Sequence, residues 1–136
     1  MTKVLIVDDD PDMRLAIASV LSSRDYHITE AGDGEEALRK LREEKPDLIL
    51  LDLLMPKMDG FAVLRILRDS PQKEYPDVPV LVISSVREEA SHRRYELELG
   101  RRLSADGYIE KPIEPFVLLE RIEALLSKGG KDAKAD

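Results

Sequence analysis

The sequence predicts a doubly wound α/β domain, a five-stranded parallel sheet flanked by five helices. Short apolar runs at residues 4–7 (VLIV), 48–51 (LILL) and 80–83 (VLVI) alternate with stretches of helical periodicity. Runs rich in leucine and β-branched residues read as strands buried on both faces. Each run also ends in polar residues: Asp8-Asp9, Asp52 and Ser84-Ser85, with Lys111 following the shorter Tyr108-Ile109-Glu110.

The first strand, residues 4–7, leads to Asp10-Pro11, a helix cap with proline at the first helical position. Met13, Ile17, Val20 and Leu21 then repeat at helical spacing to about Ser23. A short strand is expected at residues 26–30. Asp33-Gly34-Glu35-Glu36 has the pattern of a capping box, with Asp33 as cap and Glu36 three residues on. The helix it opens carries Ala37, Leu38 and Leu41 on one face and stops before Pro46. Residues 47–51 are the most apolar strand candidate and belong at the centre of the sheet. Phe61, Leu64 and Leu67 mark a third helix that fades near Ser70-Pro71. A loop at 71–79 with three prolines leads to a fourth strand at 80–83 and a helix from about 87 to 99. A fifth strand at 107–110 and a helix lined by Phe116, Leu119, Ile122 and Leu126 complete five βα units with right-handed crossovers. The domain is expected to span residues 1–127, and the polar, glycine-containing residues 128–136 to form a disordered tail.

A chain of 136 residues suggests one domain, and at this size a globular chain buries roughly 68–70% of its unfolded surface. The absence of cysteine excludes disulfides and thiolate chemistry. A net charge of −7, from 28 acidic and 21 basic residues, argues against direct nucleic-acid binding. No apolar stretch approaches the about 20 residues of a membrane span, and no signal peptide precedes the first strand. A cytoplasmic protein without membrane contact is expected. His27 and His92 have no companions at metal-ligand spacing.

In an open α/β sheet, ligands bind beyond the carboxyl ends of the strands. Asp8, Asp9, Asp52, a serine hydroxyl and Lys111 should therefore converge on one spot. Two carboxylates about 4 Å apart repel by roughly 4 kcal/mol at an effective dielectric of about 20, so such a cluster calls for a cation or a retained proton. Oxygen ligands alone favour Mg²⁺ or Mn²⁺. A divalent cation beside a carboxylate and an ammonium suits a phosphoryl group in transfer, with Asp52 as the nucleophile that forms an aspartyl phosphate. Singly, each signal has an ordinary explanation: helix capping for Asp8-Asp9-Asp10, a turn before Met55-Pro56 for Asp52, a solvated charge for Lys111. Their joint placement at successive strand ends favours the functional one.

The chain resembles the receiver domain of two-component response regulators of the chemotaxis-regulator kind, from about Lys3 to Leu126. The resemblance rests on Lys3-Val4-Leu5-Ile6-Val7-Asp8-Asp9-Asp10, Asp47-Leu48-Ile49-Leu50-Leu51-Asp52-Leu53-Leu54-Met55-Pro56, Met58-Asp59-Gly60 and Gly107-Tyr108-Ile109-Glu110-Lys111-Pro112. It implies a flavodoxin-like strand order 2-1-3-4-5, and a phosphorelay phosphoprotein rather than an enzyme, catalysing only its own phosphorylation and dephosphorylation. By the same resemblance, Asp52 accepts phosphate from a histidine kinase or histidine phosphotransfer protein. Mg²⁺, or Mn²⁺, would be held by Asp8, Asp9, Asp52 and the backbone carbonyl of Leu54. Ser84 takes the switch-hydroxyl position and Lys111 pairs with another phosphoryl oxygen, its bond to Pro112 being cis. Tyr108 matches the aromatic that changes rotamer as the surface of the fourth helix, fifth strand and fifth helix switches. That surface would meet an unidentified downstream protein or, on phosphorylation, a second copy.

The energetics suit a switch. Two new charge-assisted bonds, from Ser84 and Lys111, supply on the order of 3–6 kcal/mol, against about 5.5 kcal/mol for driving an equilibrium from about 1:99 to 99:1. Ser84 is preferred to Ser85 because it follows the strand run directly. Four residues, Arg101-Arg102-Leu103-Ser104, interrupt the expected pattern and add about one helical turn if the preceding helix continues. Two other readings compete. A haloacid-dehalogenase-like phosphatase needs a second acid where Leu54 stands, and a phosphorylation-independent interaction module would not need the intact set of Asp8, Asp9, Asp52, Ser84 and Lys111.

Overall fold

Alternation along each strand divides the apolar residues between two layers. In the computed structural model, which describes residues 1–53, 55, 60–69, 78–84 and 105–134 (side chains up to 127), the strands are β1 (Thr2–Val7), β2 (Tyr26–Ala31), β3 (Leu48–Asp52), β4 (Val80–Ser84) and β5 (Gly107–Glu110). All pair in parallel, in the order β2-β1-β3-β4-β5. Four helices are described: α1 (Pro11–Leu21), α2 (Gly34–Glu44), α3 (Gly60–Asp69) and α4 (Pro115–Lys134), the last continuing as helix into the stretch from residue 128 expected to be a disordered tail. The helix expected near 87–99, Ser85, His92, Leu54 and the Arg101-Arg102-Leu103-Ser104 stretch lie outside the described residues.

Leu5, Val7, Ile49, Leu51, Val80 and Val82 pack with α2 and α3 residues such as Leu41 and Leu64. Val4, Ile6, Leu48, Leu50, Leu81, Ile83 and Ile109 pack on the other face with Ile17 and Leu21 of α1 and Leu118 and Ile122 of α4. Strands covered on both sides need apolar residues at successive positions, and β3 and β4 are apolar and buried up to their last residues, the buried polar Asp52 and Ser84. Among the described residues no helix is long and apolar enough to cross a membrane.

Local chemistry sets the helix ends. Asp10 caps α1, its carboxylate accepting from the Asp12 N–H at 2.9 Å. That helix ends at Leu21, two residues short of the expected limit. The Ser22 and Ser23 hydroxyls donate back to Ser19 O at 2.6 Å and Val20 O at 3.0 Å, competing with helix continuation. Asp33 caps α2 by accepting from Glu36 N–H at 2.8 Å, while the Glu36 carboxylate accepts from Gly32 N–H at 2.7 Å, one residue earlier than a reciprocal capping box would have it. Ahead of Pro46, which disfavours the right-handed helical conformation, Lys45 turns left-handed (φ 49°) and ends α2.

Candidate functional site

The register of the central strands assembles the site. Val7 of β1 lies opposite Leu51 of β3, so the next residues, Asp8 and Asp52, emerge side by side at the carboxyl edge. Oxygens of Asp8, Asp9 and Asp52 lie within 4.8 Å of one another. Asp8 and Asp52 are only 3% and 4% exposed, whereas Asp9 is exposed. Asp8 Oδ1 accepts from the Asp10 N–H at 2.9 Å, leaving its second oxygen to offer. Burial raises the Asp8 pKa above its ordinary value of 3.8, helped by the Asp9 and Asp10 charges and opposed by the Asp10 N–H and Lys111.

Beyond β3, the next strands bring the remaining groups. Asp52 lies opposite Ile83, and Ser84 opposite Glu110. The Lys111 N–H donates to Ser84 O at 2.7 Å, and the Lys111 ammonium stands 3.8 Å from Asp52 Oδ1, an ion pair longer than a hydrogen bond. The Lys111–Pro112 peptide bond is cis. Ser84 is 1% exposed, and its buried Oγ has no hydrogen-bond partner among the described residues. An unpaired buried hydroxyl costs about 1–3 kcal/mol, so its presence argues for an acceptor that arrives later.

Of the residues singled out from sequence, Asp8, Asp9, Asp52 and Lys111 meet at one place, with Ser84 tied to Lys111 through the backbone. Tyr108 stands apart, paired with Val82 two positions before Ser84 in β4. It is 40% exposed, and its hydroxyl oxygen accepts from the Ala105 N–H at 3.3 Å.

Gly60 is a positional element that sequence reasoning did not identify. A Cβ there would lie 2.3 Å from Asp52 O and 2.6 Å from Leu53 Cα, and the Gly60 N–H donates to Leu53 O at 2.9 Å. Only a residue without a side chain lets α3 start against the backbone that carries Asp52. The Met58-Asp59-Gly60 stretch contains the clue, but not which backbone the glycine touches.

The donor set is entirely oxygen, two of its carboxylates are buried, and burial, with a smaller contribution from the Asp9 and Asp10 charges, keeps Asp8 above its usual pKa. These residues fit a hard divalent cation such as Mg²⁺ or Mn²⁺, which would relieve the repulsion. Fold and site together define an open α/β domain with an acidic pocket and a lysine at the strand ends. Residues 4–123 match the family described as the response regulator receiver domain, and the chain belongs to that family. It is 40% identical over 131 residues, 96% of its own length and 48% of the relative's, to "Probable transcriptional regulator ycf27" of Guillardia theta. The signal receiver domain of a response regulator from Bermanella marisrubri superposes with a TM-score of 0.77 at 35% identity, over 93% of this chain and 99% of that one. The chemotaxis response regulator CheY4 of Vibrio cholerae does so at 0.73 and 30% identity, over 92% and 98%. This chain is therefore a receiver domain of the two-component signalling type, and it spans about half the length of the curated relatives it matches.

Proposed function

We propose that this domain is a cytoplasmic phosphoacceptor, taking a phosphoryl group on Asp52 from a histidine kinase or histidine phosphotransfer protein. The observation that carries this reading is the meeting of Asp8, Asp9 and Asp52 within 4.8 Å, with the Lys111 ammonium 3.8 Å from Asp52. In the transfer, an Asp52 oxygen bonds to phosphorus as the bond from phosphorus to the donor imidazole nitrogen breaks, and the donor leaves as histidine. Asp8, Asp9 and Asp52, with the Leu54 carbonyl, would hold Mg²⁺ or Mn²⁺. When bound, that ion supplies neutralising charge for the phosphoryl oxygens. The Lys111 ammonium and the Ser84 hydroxyl donate to two of those oxygens, which gives Ser84 Oγ, unpartnered among the described residues, an acceptor.

In this reading the chemistry serves signalling, and the domain turns over only its own phosphoryl group. The phosphorylated state would be read out through Tyr108, β5, α4 and the helix predicted near 87–99, to a downstream protein or a second copy. The receiver unit is proposed to span residues 1–127. The expectation of no direct nucleic-acid contact concerns these 136 residues alone, since a relative about twice as long is named a transcriptional regulator.

The test is intact-mass measurement after incubation with Mg²⁺ and acetyl phosphate, with sedimentation to follow the oligomeric state. Wild type should gain one phosphoryl group and Asp52→Ala none. A folded wild-type protein that stays unmodified would replace this reading with the phosphorylation-independent interaction module.

A further inference from the structure

We propose that Arg14 is a positioning residue for the cation site, holding the peptide between Asp8 and Asp9 in the plane from which both carboxylates leave. The inference rests on reading the acidic cluster as a Mg²⁺ site. Arg14 lies in the first turn of α1, where its own N–H donates to Asp10 O at 3.0 Å. Its Nη1 donates to the backbone oxygen of Asp8 at 2.6 Å, and its Nε to Glu30 Oε1 of β2 at 2.9 Å. The guanidinium therefore spans from the metal-loop backbone to the neighbouring strand. Its side chain is 20% exposed, so both bonds form away from most of the solvent.

The atom that Arg14 grips gives the clamp its consequence. Asp8 O belongs to the planar peptide unit that also contains the Asp9 N–H, so orienting that oxygen orients the whole unit. The same Asp8 residue donates its N–H to Ala31 O at 3.1 Å. Asp8 is thus tied to β2 twice, directly through Ala31 and indirectly through Arg14 and Glu30. The Lys40 ammonium donates to the backbone oxygen of Glu30, which adds a further tie between α2 and this end of β2.

Charge follows the same logic. An isolated arginine beside three carboxylates would compete with an arriving cation. The Glu30 carboxylate offsets the guanidinium charge at 2.9 Å, so Arg14 acts as a fork of donors with little net field. Space is also kept for it: a Cβ at Gly32 would approach Arg14 Nη1 to 3.3 Å.

Calorimetric Mg²⁺ titration of the full chain tests the clamp, with thermal melts of the metal-free proteins as the check on folding. Arg14→Ala and Arg14→Gln, the latter keeping much of the apolar stem, should weaken Mg²⁺ binding by about 10-fold, the lower end for groups that orient metal ligands from behind. Arg14→Lys, with a point charge in place of the fork, should fall between them and wild type. In the acetyl phosphate reaction the half-saturating Mg²⁺ concentration should rise, while the plateau rate at saturating Mg²⁺ stays at the wild-type value. Arg24→Ala removes a 2.9 Å ion pair to Glu123 on α4 and should leave Mg²⁺ affinity unchanged. Wild-type Mg²⁺ affinity in a folded Arg14→Ala or Arg14→Gln protein overturns the proposal. A wild-type chain that takes up no Mg²⁺ overturns the cation-site reading itself, and the clamp with it.

Discussion

At the amino edge of the sheet, Asp47 and Lys3 exchange two bonds: Lys3 N–H to Asp47 Oδ2 at 2.8 Å and Asp47 N–H to Lys3 O at 2.8 Å. Asp106 does the same with Val80, accepting its N–H at 2.8 Å and donating to its oxygen at 2.9 Å. Arg68 adds an ion pair to that carboxylate at 3.0 Å. At the opposite edge, Asp8 and Asp52 are buried close to each other and to Asp9, and Ser84 Oγ has no partner among the described residues. The residue type is the same and the use is reversed. A carboxylate that completes a backbone ladder is spent on the fold, whereas carboxylates crowded together keep their attraction for a ligand that has yet to arrive.

Substitutions at the two edges should therefore have opposite signs. Asp8→Asn keeps an oxygen for the Asp10 N–H but removes one of the repelling charges. It should abolish Mg²⁺ binding by calorimetry while stabilising the metal-free protein by about 1–3 kcal/mol in urea unfolding. Asp106→Ala leaves the buried Val80 N–H unpaired and should destabilise by about 1–3 kcal/mol, with Mg²⁺ affinity unchanged. A destabilised Asp8→Asn protein would break the contrast between the edges.

The pH dependence sharpens the same contrast. The folded-state pKa of Asp8 lies above 3.8, so between those two values the folded chain holds more of that proton than the unfolded chain. The contribution of Asp8 to metal-free stability should then fall as pH rises through that window. Saturating Mg²⁺, which binds the ionised carboxylate, should reverse the slope. Melting curves of wild type and Asp8→Asn, with and without Mg²⁺, read both effects. The smallest change belongs to Ser84→Ala. No hydrogen bond to a described residue is lost with the hydroxyl and the cost of burying it is relieved, so the metal-free fold should be stabilised by about 1 kcal/mol, the low end of that cost, while phosphorylation by acetyl phosphate slows.

Much of this was legible without coordinates because it is local. Asp10 and Asp33 cap helices through bonds spanning two or three residues, and residues 107–110 read directly as a strand. The site residues were legible because the strand ends carry them. Arg14 was not, since an arginine in a helix's first turn reads as solvated. Its partners, Asp8 O and Glu30, are six and sixteen residues away in sequence. Gly60 presents the same difficulty, because its requirement comes from Asp52 O.

Apolar alternation and turn chemistry, which act over a few residues, specify the strands, the helices, and a polar group after each strand. The distances that make those groups a site belong to the tertiary structure. Pairing Val7 with Leu51 and Ser84 with Glu110 is a property of the sheet register, and that register brings three carboxylates within 4.8 Å and a lysine to 3.8 Å from Asp52. Crowding like charges raises the energy of the chain. Only the burial of two apolar layers, acting over the whole sheet, supplies the free energy that holds them there.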